Sequence, residues 1–157
     1  MVHSVKRILI AEDNVNDVEL TLAALAHHNL ANEVVVTRDG EEALDFLYRR
    51  GAFASRDGGL PAVVLLDLKM PKVDGLEVLR QIKSDPSLRM IPVVVLTSSR
   101  EDRDIVESYS LNANAYVVKP VDFHDFVDAV KEIGLFWGIV NVPPAEGQAE
   151  TGKTVQG

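Results

Sequence analysis

Glu12-Asp13, Asp67, Thr97 and Lys119 each come directly after a short unbroken apolar run: Ile8-Leu9-Ile10-Ala11, Val63-Val64-Leu65-Leu66, Val93-Val94-Val95-Leu96 and Ala115-Tyr116-Val117-Val118. Three acids, one hydroxyl and one amine are what magnesium-dependent phosphoryl chemistry requires. Mg²⁺ takes hard oxygen ligands in octahedral geometry and keeps several waters, so two or three carboxylates and a backbone carbonyl suffice to hold it. On residue type and order, Asp13 and Asp67 are the direct ligands and Glu12 reaches the ion through water. A carboxylate can also accept a phosphoryl group and become an aspartyl phosphate. Such a transfer is catalysed mainly by positioning and by neutralising the equatorial oxygens. Mg²⁺ would cover one of these oxygens, the ammonium of Lys119 a second and the hydroxyl of Thr97 a third, which completes a set for phosphorylating Asp67.

The elements that must position these residues follow from the same runs. A parallel strand covered by helices on both faces reads as continuous Val, Ile and Leu, and the carboxyl ends of such strands border the ligand crevice of an open α/β sheet. Taken singly, an acid after a strand is most often a plain loop acid, and a Thr or Lys there is most often idle at the surface. What lifts these residues above that reading is that all fall at the same end of strands one, three, four and five. The apolar periodicity predicts strands at about 5–11, 32–37, 62–67, 91–97 and 113–118, and helices at about 16–28, 41–50, 76–84, 101–111 and 122–137. Helix one would turn Val18, Leu22, Leu25 and Ala26 inward, and helix five Phe126, Val127, Val130 and Ile133, with Trp137 at its end. Five β-α alternations call for a flavodoxin-like doubly wound, five-stranded parallel sheet of order 2-1-3-4-5, with helices on both faces. One domain is expected over residues 1–140. The tail, 141–157, is rich in Pro, Gly and Gln and reads as disordered. The Gly51 to Leu60 connection is long and rich in turn residues, and Thr37-Arg38-Asp39 reads as an ordinary turn.

Bulk composition narrows the function classes. A net charge of −8 and a pI near 4.9 argue against direct nucleic-acid binding, which needs a basic surface to displace counterions. With no cysteine there is no disulfide, thiolate metal site or thiol nucleophile. No apolar run approaches the roughly 20 residues of a membrane span, and the basic N-terminus lacks the apolar stretch of a secretory signal, so a cytoplasmic protein is the default. His3, His27, His28 and His124 show no metal-ligand grouping, and Gly58-Gly59 precedes a strand where a phosphate-cradling loop would precede a helix.

Over residues 5–138 the chain resembles a bacterial two-component response-regulator receiver domain, on four motifs in order. These are Glu12-Asp13, the run Asp67-Leu68-Lys69-Met70-Pro71-Lys72-Val73-Asp74-Gly75, Thr97-Ser98-Ser99, and Tyr116-Val117-Val118-Lys119-Pro120. The acid pair alone says little; the four together are specific. The resemblance implies that a sensor histidine kinase passes a phosphoryl group to Asp67, followed by slow self-catalysed hydrolysis, so that the protein is a signalling module and not an enzyme. It implies that the backbone carbonyl of Lys69 joins Asp13 and Asp67 around Mg²⁺, and that Thr97 and Tyr116 form a switch pair. It further implies a cis Lys119-Pro120 bond and a tuning of acyl-phosphate hydrolysis by Lys69 and Ser99. Glu12, where aspartate is commoner, is a mild departure that leaves metal binding intact.

A narrower resemblance rests on the Gly51–Leu60 connection, Lys119-Pro120-Val121-Asp122, the segment 108–116 and the ending Leu135-Phe136-Trp137. Together these are similar to the single-domain response regulators paired with phytochromes. That likeness implies a phytochrome as the kinase. It also implies a homodimer through helix four, strand five and helix five, with Phe136 and Trp137 contributing; Leu135, Ile139 and Val140 are surplus apolar residues beside them. No DNA-binding or membrane partner is expected. Two competing functions remain open on the sequence: a magnesium-dependent phosphatase with an aspartate nucleophile, and a binding-only pseudo-receiver. The first would need a second acid two residues beyond Asp67, where Lys69 stands, and the second has no need of the complete set.

Overall fold

The apolar runs of the three central strands are buried on both faces, while the two edge strands are partly half-buried. A computed structural model describes residues 7–26, 33–98, 111 and 113–132. Its strands are β1 (Arg7–Ala11), β2 (Glu33–Thr37), β3 (Val63–Asp67), β4 (Val93–Thr97) and β5 (Ala115–Val118). They form one parallel sheet in the order β2-β1-β3-β4-β5. Helices α1 (Val15–Ala26), α2 (Gly40–Tyr48) and α3 (Gly75–Ser84) and a last helix, Phe123–Glu132, pack on it. Strand four starts at Val93, two residues later than its apolar run suggests, because Pro92 has no N–H to give to a ladder. The expected helix over 101–111 lies outside the described residues, apart from Leu111. So do Ser99, the stretch carrying Leu135, Phe136 and Trp137, and the tail 141–157.

Alternation along each strand splits the core into two layers. Leu9, Ala11, Val64, Leu66 and Val95 face α2 and α3, where they meet Leu44, Leu47, Val78, Leu79 and Ile82. Ile8, Ile10, Leu65, Val94, Leu96 and Val117 face the opposite way and meet Leu25 of α1 and Phe126 of the last helix. Two inward positions differ from the expected stripes. Ala26 is exposed while Thr21 is buried in α1, and Ala129 is buried beside Phe126 while Val127 is only half-buried. In the last helix the small Ala129 takes the inward position beside Phe126.

Caps fix where the helices begin. Asp39, in the stretch read as an ordinary turn, accepts the Glu42 backbone N–H at 2.7 Å, and Asp74 accepts that of Glu77 at 3.0 Å. Each such cap contributes about 1 kcal/mol. The Gly51–Leu60 connection is braced rather than slack. It opens with a 3₁₀ turn, Gly51–Phe53, and Phe53 packs edge-on against Phe46. Arg56 lies over the Phe46 ring with its carbon 4.1 Å from the centroid, and its Nε donates to the Phe46 carbonyl at 2.8 Å. Arg7 donates to Glu33 at 2.9 Å and to the Asp57 carbonyl at 2.7 Å. Arg49 bonds the Gly58 carbonyl. Among the described residues, no helix is long and apolar enough to cross a membrane.

Candidate functional site

Register explains why the chemistry-bearing residues meet. Ala11 stands beside Leu66, so Glu12 follows beside Asp67; Asp67 is level with Leu96 and Thr97 with Val118. The four strands therefore run out at one level, each handing the site its next residue. Glu12, Asp67 and Thr97 are buried there, and Asp13 is exposed at the rim.

Carboxylate oxygens of Glu12, Asp13 and Asp67 all lie within 4.8 Å of one another. In an octahedron with metal–oxygen distances of about 2.1 Å, ligand oxygens are separated by about 3 Å when adjacent and about 4.2 Å when opposed. The cluster therefore fits a small, hard divalent cation after slight closure, or with one carboxylate held through water. Lys119 reaches across this pocket. Its Nζ donates to Glu12 Oε1 at 3.1 Å, to Asp17 Oδ2 at 3.1 Å and to Asp67 Oδ1 at 3.3 Å. Three carboxylates thus contact one ammonium, with Asp13 beside them at the rim, and the charges of Glu12 and Asp67 sit where little water can screen them.

The titration of the pocket follows. Burial, reinforced by the charge of Asp67, pushes the Glu12 carboxyl up to about 7, although the Asn14 backbone N–H and Lys119 pull the other way. Burial likewise raises Asp67, while Lys119 and the backbone N–H of Lys69 oppose the rise. Burial works against the charge of Lys119, but Asp67, Asp17 and Glu12 outweigh it and raise its pKa, so the ammonium stays charged. A divalent cation would reverse the burden on both acids, because its charge favours their ionised forms.

Backbone around Asp67 is held from three sides. Gly75 N–H donates to the Leu68 carbonyl at 2.8 Å, and a Cβ on Gly75 would come 2.2 Å from the Asp67 carbonyl oxygen. Gly75 is thus required for space. A Cβ on Gly40 would come 1.7 Å from the Val73 carbonyl oxygen, so the start of α2 is packed on the same loop. Lys72, in the left-handed region at φ 67°, lies 3.6 Å from Asp39 and 3.8 Å from Glu41. On the β5 side the Lys119 backbone N–H donates to the Thr97 carbonyl at 2.7 Å, and the Lys119-Pro120 peptide is cis. Tyr116 is half-buried and packs on the α2/α3 layer of the core; it stands level with Val95, on the same sheet face as Thr97.

Every expected site residue within the described set lies at this edge of the sheet. One participant escaped the sequence reading: Asp17, in the first turn of α1. Its signal was its place one helical turn beyond Asp13, but an acid in a first turn also serves the helix dipole, and that explanation sufficed.

A doubly wound sheet whose strand tips gather acids, a hydroxyl and a lysine is the architecture of a signalling receiver, and the comparisons show that family. The family described as the response regulator receiver domain matches residues 8–131, and this chain belongs to it. The probable methanogenesis regulatory protein FilR2 of Methanothrix harundinacea is 44% identical over 133 residues, 83% of this chain and 82% of that protein. Response regulator Rcp1 of Synechocystis is 39% identical over 132 residues, 84% of this chain and 88% of that protein. Its Mn²⁺-bound structure superposes with a TM-score of 0.69 over 89% of this chain and 99% of that one. The bacteriophytochrome response regulator AtBRR shares 58% identity at a TM-score of 0.82, covering 89% of this chain and 100% of that chain. The phosphorylated cyanobacterial phytochrome response regulator RcpA shares 44% at 0.70, covering 85% and 94%. Likeness to phytochrome response regulators over nearly their whole length supports the narrower resemblance drawn from the sequence.

Proposed function

We propose that this chain is a single-domain response regulator that accepts a phosphoryl group on Asp67 from a sensor histidine kinase in a Mg²⁺-dependent reaction. The observation that carries this reading is the convergence of Glu12, Asp13 and Asp67 within 4.8 Å, with the Lys119 ammonium 3.3 Å from Asp67. Bound through Asp13, Asp67 and the backbone carbonyl of Lys69, with Glu12 behind them, Mg²⁺ would supply charge neutralisation at the phosphoryl oxygens. An Asp67 oxygen forms the new O–P bond as the phosphorus–nitrogen bond to the donor histidine breaks. Lys119 offers N–H donors to the transferred group from the β5 side. The buried Thr97 offers its hydroxyl and Tyr116 a side chain on the same sheet face, which suits the pair to signal the change.

The 58% and 44% identities to phytochrome response regulators support a phytochrome as the kinase. We assign the output to a face made by residues 101–111, β5 and the last helix, and to homodimerisation there with Phe136 and Trp137. The setting is cytoplasmic, the hydrolysis of the acyl phosphate self-catalysed, and no nucleic acid or membrane is bound directly. Lys69 two residues beyond Asp67 leaves an aspartate-nucleophile phosphatase without its general acid.

The test is intact mass after incubation with acetyl phosphate, with and without Mg²⁺, for the native chain and Asp67→Asn. A magnesium-dependent gain of one phosphoryl that the variant lacks is expected. No adduct from acetyl phosphate or from a phosphorylated bacteriophytochrome kinase would leave a binding-only receiver fold. Sizing before and after phosphorylation then reads the dimer.

A further inference from the structure

An ammonium has three N–H donors, and Lys119 gives one to each of three carboxylates. Two of these, on Glu12 and Asp67, belong to the acidic cluster that a divalent cation would claim. The third, on Asp17, does not. Asp17 stands on α1, its side chain 28% exposed at the rim, and its Oδ2 lies as close to the ammonium as the buried Glu12 does, at 3.1 Å. Once a cation draws on Glu12 and Asp67, Asp17 is the partner left to the ammonium among the carboxylates it contacts. Lysine carries four flexible methylenes, and an untethered ammonium samples many rotamers.

We propose that Asp17 is a positioning residue for Lys119. It anchors the ammonium from the α1 side, so that its other two donors stay aimed at the Asp67 carboxylate and at the phosphoryl oxygen formed there. The tether joins α1 to the tip of β5, elements that are far apart in sequence and on opposite sides of the phosphoacceptor. This deepens the phosphoacceptor reading and rests on it for its catalytic consequence. The tether itself does not depend on that reading.

Two measurements test it. The first is ¹⁵N NMR of lysine ammonium groups at saturating Mg²⁺, where the cation claims Glu12 and Asp67, with the Lys119 signal identified by its loss in Lys119→Ala. A tethered ammonium exchanges slowly enough to be seen. The native chain and Asp17→Glu should show the signal, and Asp17→Ala, which suits a helix, should lose it. The second is phosphorylation by acetyl phosphate at saturating Mg²⁺. Asp17→Ala should slow the maximal rate about tenfold while the half-saturating Mg²⁺ concentration stays within about threefold. Asp17→Glu should recover most of the rate. In a Lys119→Ala background the same substitution should change nothing further, since a double-mutant cycle isolates the pair. A Lys119 signal that survives Asp17→Ala, or equal slowing in both backgrounds, overturns the proposal. If the native chain accepts no phosphoryl group, the phosphoacceptor reading fails, and the ammonium spectrum still decides the tether.

Discussion

Glu12 offers a quantitative handle on the pocket, because its carboxyl is raised from 4.5 to about 7 by burial and by Asp67. Between those values the folded chain binds a proton there that the unfolded chain has released. Unfolding then releases protons, so stability falls as pH rises through this window and levels off above about 7. At about 1.4 kcal/mol per pH unit, the rise from 4.5 to about 7 corresponds to at most about 3–4 kcal/mol. For a domain of this size that is a fall in Tm of about 7–14 °C. The assay is calorimetry in EDTA at pH 5 to 8, with Glu12→Gln beside the native chain to subtract every other titrating group. The native-minus-variant difference should slope downward with pH, and Glu12→Gln should be the more stable of the two at pH 7.5. Mg²⁺ should act in the opposite sense. It binds the ionised pocket, so at about 100 times its Kd it should return about 2.7 kcal/mol at pH 7.5 and much less at pH 5. A difference curve that is flat or rises with pH would refute the claim that burial, uncompensated by Lys119, governs this acid.

Three further outcomes are expected. Gly75→Ala forces a methyl to within 2.2 Å of the Asp67 carbonyl, so it should cost about 1–3 kcal/mol by overpacking and also lower the rate of phosphoryl uptake from acetyl phosphate, read by denaturant melts and intact mass. Lys119→Met leaves the carboxylates of Glu12, Asp17 and Asp67 without their ammonium; the metal-free protein should lose about 3 kcal/mol, and saturating Mg²⁺ should recover part of it in a thermal melt. Arg7→Met cuts the ties to Glu33 and Asp57 at the other end of the sheet. It should speed amide exchange over 56–60 and cost about 1–2 kcal/mol, with phosphorylation of Asp67 unchanged.

Much of the fold was legible because both faces of the sheet are covered. Runs such as Val63–Leu66 and Val93–Leu96 are buried along their whole length, and a strand with no solvent face can be spelled only with apolar residues. The site was legible for a related reason. Parallel strands in near register end level, so the residue after each apolar run had to arrive at the same edge. What the sequence hid are contacts without periodicity. Asp17 meets Lys119 across 102 residues, and no spacing rule marks that pair. The Gly51–Leu60 connection read only as a turn-rich stretch because glycines and small polar residues favour turns. Its order comes from Arg7 and Arg49, whose donors reach loop carbonyls, and from Arg56, which reaches back to the Phe46 carbonyl of α2. Thr21 was passed over because its hydroxyl counts as polar, and Ala129 because its side chain is small, although both are buried.

The two ends of the sheet carry opposite electrostatic designs, and the contrast bears on mechanism. At the N-terminal edge Arg7 is paired with Glu33 and Asp57, and Arg50 with Asp45. At the C-terminal edge three carboxylates, those of Glu12, Asp17 and Asp67, share Lys119, and Asp13 stands beside them. Desolvated like charges destabilise the fold, so the site edge can persist only because the strands beneath it are packed without exposure and the far edge is braced. Strain concentrated in this way responds to chemistry. A cation relieves the repulsion between Glu12, Asp13 and Asp67, and a phosphoryl group on Asp67 restores negative charge at the position Lys119 already faces. On the proposed function the ammonium would trade a carboxylate partner for a phosphoryl oxygen within its present reach, and β5, which carries Tyr116 and leads directly into Lys119, is the strand most directly coupled to that trade. On that function the signal would be read at β5, because the only cation contacting the acidic cluster among the described ion pairs follows that strand.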